Sequence, residues 1–268
     1  MHNTFGFIGI GNMGSALARA AVKCMSPDRV FLANKTPEKA RLLAAELNCT
    51  VADNAWIAAN CGFVFLGVKP QMMAGVLGEL APVLAQRQDR VILVSMAAGL
   101  TIETLQQMAG GKYPVIRMMP NTPTAVGQGV IQYCHNDLVG NDVLADWLRD
   151  MRYCGLLDSL DEHLIDAASA LSGSGPAYLY ILMEALADGA VTCGLPRAKA
   201  MEYAAMTMVG AGQLYLQTHT HPGALKDAVC SPGGSTICGI RALEDKGFRG
   251  AAMDCVIATY QKNKELGK

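Results

Sequence analysis

Near the start of the chain a short apolar run, TFGFI (4–8), stops at Gly9-Ile10-Gly11-Asn12-Met13-Gly14, and a helical pattern follows from about Asn12 to Val22. A G-x-G-x-x-G turn on its own says little, but between a strand and a helix it constrains the backbone severely. Gly9 permits the tight turn, Gly11 lets a ligand approach the backbone, and Gly14 lets the helix pack on the strand. The helix opened in this way turns unpaired N–H groups and the positive end of its dipole toward whatever lies over the turn, which suits a pyrophosphate. The alternative is a glycine-rich turn that holds no ligand.

The same grammar repeats. RVFLA (29–33) precedes a helix with Thr36 as N-cap and Pro37 at its first position, and TVA (50–52) precedes one opened by Asp53. FVFLGV (63–68) leads to a helix starting at Pro70, RVILVS (90–95) to one capped by Thr101, and PVIRM (114–118) follows. Runs this continuously apolar suit strands buried on both faces. Their alternation with helices over short connections implies right-handed crossovers and a parallel sheet.

The end of the second run bears on the choice of nucleotide. A site for NAD normally carries Asp or Glu there to take the ribose 2′-hydroxyl. Asn34-Lys35-Thr36 stands there instead, with no carboxylate to repel a 2′-phosphate and a cation to attract it, which favours NADPH, with NADH as the alternative cofactor. Asn34 and Thr36 could equally form only a turn and a cap. Val68-Lys69-Pro70, Ser95-Met96-Ala97-Ala98-Gly99 and Met119-Pro120-Asn121-Thr122-Pro123 end the later runs and are expected to face the same crevice.

Beyond Met118 the grammar changes. GVIQYC (129–134) and CGLLDS (154–159) read as edge strands around a helix near 142–152, and no strand is evident after Asp161. Helical segments begin at Pro176, Pro196, Pro222 and around Pro232, with Gly247 and Gly267 placed as C-caps. The expected fold class is therefore an α/β Rossmann-type dinucleotide-binding domain, residues 1–160, followed by an all-α helical domain, residues 161–268. Two uncharged clusters stand out in the helical half, Leu171-Ser172-Gly173-Ser174-Gly175-Pro176-Ala177-Tyr178 and Ser231-Pro232-Gly233-Gly234-Ser235-Thr236. Each leads into a helix and offers N–H groups and hydroxyls to a small carboxylate, unless it is an ordinary N-cap.

Composition narrows the function classes. With 51% hydrophobic and 17% charged residues and a mean hydropathy of +0.22, the chain is neither disordered nor low in complexity, and it implies an oligomer with a core-like interface. The charge-free stretch from Tyr203 to Leu225 holds glutamines, histidines and a proline, so it reads as a helix buried on several sides rather than a membrane span. Net charge is −1 with no basic excess in either half, which argues against nucleic acid as a partner. Nine scattered cysteines without a C-x-x-C pair read as small buried residues in a reducing compartment, and with no secretory pattern at the start a cytoplasmic location is expected. His2, His135, His163, His219 and His221 follow no metal-ligand spacing, and no metal is expected.

GFIGIGNMG (6–14), VKPQ (68–71), MPNTP (119–123), LSGSGPAY (171–178) and HPGALKDAVCSPGGSTI (221–237) together resemble the pyrroline-5-carboxylate reductase family along the whole chain. The resemblance implies NAD(P)H-dependent reduction of 1-pyrroline-5-carboxylate to L-proline, the last step of proline synthesis. It also implies that the helical half is a dimerisation domain, that homodimers assemble into decamers, and that the substrate lies where helical domains of two chains meet. The family's nucleotide contacts fall on Gly9, Ile10, Gly11, Asn12, Met13, Gly14, Asn34, Lys35, Thr36, Asn54, Val68, Lys69, Pro70, Met96, Ala97 and Ala98. Its substrate contacts fall on Ser231, Gly233, Gly234, Ser235 and Thr236. Thr236 resembles the catalytic residue beside the substrate nitrogen, and Glu162 resembles a substrate-proximal acid.

Two rivals share parts of the pattern. A β-hydroxyacid dehydrogenase-like enzyme uses a helical lysine as proton donor, but the stretch from Ser169 to Leu195 contains none. A non-catalytic NADPH-sensing protein would bind nucleotide without turnover. If the Asn34–Thr36 turn reads the 2′-phosphate, Lys35→Asp raises the Michaelis constant for NADPH and spares that for NADH; steady-state kinetics with both nucleotides check this, and equal effects would remove the assignment.

Overall fold

The computed structural model describes residues 3–266. His2 and Gly267, both named above, lie outside the described residues. Among them, eight strands form one sheet in the order β3-β2-β1-β4-β5-β6-β7-β8. The strands are β1 (Phe5–Ile8), β2 (Val30–Ala33), β3 (Thr50–Val51), β4 (Phe63–Leu66), β5 (Ile92–Ser95), β6 (Val115–Met119), β7 (Gly129–His135) and β8 (Gly155–Ser159). All neighbours pair in parallel except β6 with β7. The helices α1 (Asn12–Ala21), α2 (Pro37–Leu47), α3 (Asn54–Asn60), α4 (Pro70–Ala85) and α5 (Ile102–Met108) connect the parallel strands, and α6 (Asn141–Met151) joins β7 to β8.

Strand alternation divides the interior between the two faces. Phe5, Phe7, Phe63 and Phe65 project to one face, with the Phe7 and Phe65 rings stacked at 4.4 Å, and pack with Leu17 of α1 and Trp147 of α6. Ile8, Val64 and Leu66 project to the other, against Ile57 of α3, Met73 and Leu77 of α4 and Leu105 of α5. Sheets covered on both faces need strands with no polar side, which is why the runs read as unbroken apolar stretches.

Beyond the sheet lie α7 (Ile165–Ser172), α8 (Gly175–Thr192), α9 (Arg197–Thr218), α10 (Pro222–Ala228), α11 (Ser235–Asp245) and α12 (Phe248–Leu266). Compactness divides the chain at a different place from composition. The chain up to Ser174, rejoined by residues from Thr259 on, forms one compact unit, and Gly175–Ala258 forms the other. Strands stop near residue 160, but α7 belongs with the sheet because Ile165 is fully buried in its second core. Asn263 of α12 donates to the Asp166 carbonyl at 3.4 Å in that same unit.

Three details differ from the sequence reading. Pro196 is the N-cap of α9 and not its first residue, and Pro232 sits in a turn three residues ahead of α11, because Gly233 takes φ +69° and Gly234 becomes the N-cap. Helix α9 is not buried on several sides within the chain: only Ala200 and Ala204 are buried, while Tyr203, Met206 and Val209 are 55%, 67% and 55% exposed. Of the cysteines, Cys61, Cys134 and Cys154 are buried, but Cys193 and Cys238 are exposed. Gly247, at φ +70° between α11 and α12, sits where a helix C-terminus favours the left-handed region. No helix among the described residues is long and apolar enough to cross a membrane.

The sheet reverses its strand order between β1 and β4, and there the two strand ends approach within glycine distance. A Cβ on Gly67 would lie 2.2 Å from the Gly9 carbonyl oxygen, and one on Gly9, at φ +91°, would lie 2.7 Å from the Gly67 oxygen. Gly67→Ala therefore pushes backbone against backbone and is expected to cost about 1–3 kcal/mol. Gly75→Ala, in the exposed interior of α4 with nothing within 4 Å of the new Cβ, is expected to be neutral or to stabilise by up to about 1 kcal/mol. Thermal melting of the two variants checks the contrast.

Candidate active site

The parallel strands β1, β2, β4 and β5 end on one edge of the sheet, and the loops that follow them leave from that edge. Gly9 N–H donates to the Ala33 carbonyl at 2.9 Å and Gly67 N–H to the Ile8 carbonyl at 2.8 Å, so the turn after β1 is pinned to both neighbouring strands. Gly14 lies so close beneath this turn that a Cβ would come within 2.3 Å of the Gly9 oxygen. Gly11 is the opposite case: its Cβ would meet nothing within 4 Å. It caps α1 without any side-chain bond, so the first N–H groups of this ten-residue helix have only the space in front of them. A cradle open at Gly11 and closed at Gly9, Gly14 and Gly67 fits the pyrophosphate of a dinucleotide.

The other expected nucleotide residues follow the neighbouring strands of the sheet. Val68 and Lys69 follow β4, and Pro70 opens α4. Met96, Ala97 and Ala98 follow β5; Ala97 is 2% exposed, and its N–H donates to the Ser95 hydroxyl at 3.3 Å. Asn54 begins α3, whose cap is Asp53, accepting from Trp56 N–H at 2.7 Å. Asn34 is engaged within its own turn: its Oδ1 accepts from Ile10 N–H at 3.3 Å and its Nδ2 donates to the Thr36 carbonyl at 3.1 Å. Thr36 occupies the N-cap position of α2, but its hydroxyl makes no capping bond. Lys35 is exposed.

The roles of two residues near this edge were not legible in the sequence, although Asn121 stood in a loop already singled out. Asn121, 7% exposed, accepts from Val130 N–H at 2.9 Å and donates to the Ser172 carbonyl at 2.9 Å. It closes the Met119–Pro123 loop and fastens the last turn of α7. Arg117, 2% exposed on β6, binds Asp166 at 2.6 Å and Glu162 at 3.4 Å. An arginine inside an apolar run is the available signal, but its acidic partners lie more than forty residues away and no local pattern marks them.

Glu162 is drawn into this buried cluster. Its Oε1 accepts both the Arg117 bond and one from Ile102 N–H at 2.7 Å, so it caps α5 just past the Ser95–Gly99 loop. A cleft of about 500 Å³ opens beside it, lined by Glu103, Cys134 and His135 among others. Burial pushes the Cys134 thiol up to about 12, with the Glu162 charge adding to the effect, so this cysteine stays protonated and is no nucleophile. Among the described residues, no cluster of His, Cys, Asp or Glu could hold a metal ion.

In the helical unit, the turn Ser231-Pro232-Gly233-Gly234 is closed by Gly234 N–H donating to the Ser231 carbonyl at 3.0 Å. A Cβ at Gly234 would meet the Ser231 hydroxyl at 2.3 Å, so the turn is tight. Gly234 caps the eleven-residue α11 in extended conformation with no side-chain bond, which leaves the first N–H groups and the exposed Ser235 and Thr236 hydroxyls facing outward. The other uncharged cluster differs from its expected role as an anion site. Ser172 exchanges bonds with Gln132 and donates to the Ala168 carbonyl, while Gly173 and Ser174 N–H groups both donate to Ser169, so these groups finish α7.

Residues 162–266 match the family described as pyrroline-5-carboxylate reductase dimerisation, and residues 4–99 match that described as NADP oxidoreductase, coenzyme F420-dependent. The chain is 38% identical to the pyrroline-5-carboxylate reductase of Escherichia coli over 100% of both chains. It is 40% identical to that of Glycine max over 98% of this chain and 96% of the other. The chain belongs to the pyrroline-5-carboxylate reductase family. The Plasmodium falciparum pyrroline carboxylate reductase, solved with NADP bound, superposes with a TM-score of 0.89 at 30% identity, covering 100% of this chain and 99% of that one. The Coxiella burnetii pyrroline-5-carboxylate reductase gives the same TM-score at 31% identity over 99% of both. The fold class, a Rossmann-type α/β domain followed by a helical domain of the family's dimerisation type, is therefore the family's own.

Glu162→Ala leaves Arg117 underpaired and the start of α5 uncapped, a loss of about 1–3 kcal/mol for a partly exposed partner. Glu162→Gln, which keeps an acceptor for Ile102 N–H, is expected to recover part of it. Melting temperatures check this; an unchanged melt with a raised Michaelis constant for substrate would instead make Glu162 a substrate contact.

Proposed function

We propose that this chain reduces 1-pyrroline-5-carboxylate to L-proline with NADPH or NADH as the reductant. The observation that carries the reading is the pair of uncharged helix starts, at Gly11 and at Gly234, in a chain that matches reductases of this reaction from end to end. One fits a pyrophosphate and the other a small carboxylate. The bound nucleotide supplies a hydride from its nicotinamide ring.

The chain has little chemistry left to perform. Protonation of a cyclic imine makes its ring carbon electrophilic; the hydride adds to that carbon and the proton stays on nitrogen. Gly9–Gly14 hold the pyrophosphate, and Val68–Pro70, Asn54 and Met96–Ala98 wall the nucleotide. Ser231, Gly233, Gly234 and Ser235 hold the substrate carboxylate through N–H groups and hydroxyls, with Thr236 donating or relaying a hydrogen bond at the ring nitrogen. Held in this way, the reacting atoms gain from orientation and from exclusion of water. The domain division 1–160 and 161–268 is kept as the functional one, nucleotide and substrate halves respectively; the family match beginning at residue 162 supports it.

The protein acts as a homodimer that assembles further into a decamer, in the cytoplasm. Tyr180, Ile181, Met206 and Leu216 are each more than half exposed within a single chain, a density of apolar surface that favours burial against a second copy. The free cysteines fit a reducing compartment.

Nicotinamide absorbance in the presence and absence of 1-pyrroline-5-carboxylate tests the activity: oxidation of the nucleotide only with substrate is expected, and binding without turnover would overturn it. Thr236→Ala is expected to lose about 10²–10⁴-fold in kcat/KM, and Thr236→Ser to recover most of it. An unimpaired alanine variant would remove Thr236 from the reaction.

A further inference from the structure

Asn34, at the end of β2, spends both ends of its carboxamide inside the protein, on Ile10 N–H and the Thr36 carbonyl. It holds the glycine turn in place, with one Nδ2–H left uncommitted. In this fold the ribose 2′ position lies over the end of the second strand, which here runs directly into α2.

A groove of about 460 Å³ opens between α1 and α2 at this point, lined by Ile10, Gly11 and Asn12 from the turn, Ser15 and Arg19 from α1, and Lys39 from the first turn of α2. Its charged groups are Arg19, Lys39 and Glu46. Arg19 and Glu46 are bound to each other through two contacts, Nε to Oε1 at 2.8 Å and Nη2 to Oε2 at 2.5 Å, and this pairing holds the Glu46 carboxyl below its ordinary pKa. Lys39 enters no ion pair among the described residues and is exposed, so the groove's one uncommitted charge is positive and lies beside the start of α1. Lys35, exposed, precedes the N-cap Thr36, whose hydroxyl makes no capping bond.

We propose that Lys39 is the specificity-determining cation for the 2′-phosphate of NADPH, with Lys35 and the Thr36 hydroxyl beside it and Asn34 as a positioning residue. The assignment rests on the dinucleotide reading of this crevice and extends it to a residue outside the strand-end turn. A charge-assisted contact of this kind changes affinity by about ten- to a hundredfold.

Titration calorimetry with adenosine 2′,5′-bisphosphate and with 5′-AMP on the full chain tests it without relying on turnover. Lys39→Met, which keeps an unbranched side chain and removes the charge, is expected to weaken the bisphosphate about tenfold or more and to change 5′-AMP less than twofold, and Lys39→Arg is expected to restore the preference. The unliganded melting temperature should not move, because Lys39 has no partner to lose. Unaltered bisphosphate affinity in Lys39→Met, or an equal loss for both nucleotides, would overturn the Lys39 assignment alone. A wild-type chain that binds neither nucleotide would overturn the dinucleotide reading and the assignment together.

Discussion

The approach of Gly9 to Gly67 is the constraint on which the rest of the sheet unit depends. It joins the ends of β1 and β4 where strand order reverses, and any side chain at either position would have to enter the backbone of the other. With both strands brought this close, the loops after β1, β2, β4 and β5 leave the sheet from one edge, and α1 begins there with no side chain capping its first N–H groups. The phenylalanine cluster on one face and the aliphatic residues on the other hold the sheet to that geometry, since β1 and β4 contribute to both layers.

The β1-to-β6 half was legible in the sequence because its signals are local. Apolar runs, capping residues and first-turn prolines each act within a few positions, and the structure places the strands and helices accordingly. Gly67 is an instructive omission: it ends a run whose next residues drew notice, yet its need for a hydrogen side chain arises from Gly9, far away in sequence. Arg117 and Asp166 went unread for the same reason. A buried ion cluster is a long-range arrangement, and each member read alone is an ordinary charged residue. Ser172 shows the converse, since a Ser/Gly cluster that looks built for an anion is consumed by Gln132 and by the end of its own helix.

The helical half was harder to read because its helices lack a single apolar face. A helix that buries one side in its own chain shows a stripe, whereas α8 and α9 carry large apolar side chains around much of their circumference and expose them, as Ile181 and Met206 do at 71% and 67%. Such a pattern fits the dimerisation family that residues 162–266 match. The expectation that the charge-free stretch 203–225 is buried on several sides was drawn from its composition, and within a single chain it does not hold.

Both candidate anion sites are built from backbone N–H groups at helix starts, and this limits what they can distinguish. A row of amides favours negative charge without counting it, and it does not change with pH in the range where side chains titrate. What the helix starts at Gly11 and Gly234 offer a ligand is therefore shape, with glycine at the closest approaches and tight turns. Discrimination between ligands that differ by one phosphate needs a formal charge at the correct distance, and only side chains provide it. Lys35 and Lys39 project from the start of α2, outside both closely packed cores, so a change of nucleotide preference there would leave the Gly9–Gly67 contact and the sheet beneath it undisturbed. Shape resides in the part of the fold that cannot vary, and specificity in the part that can.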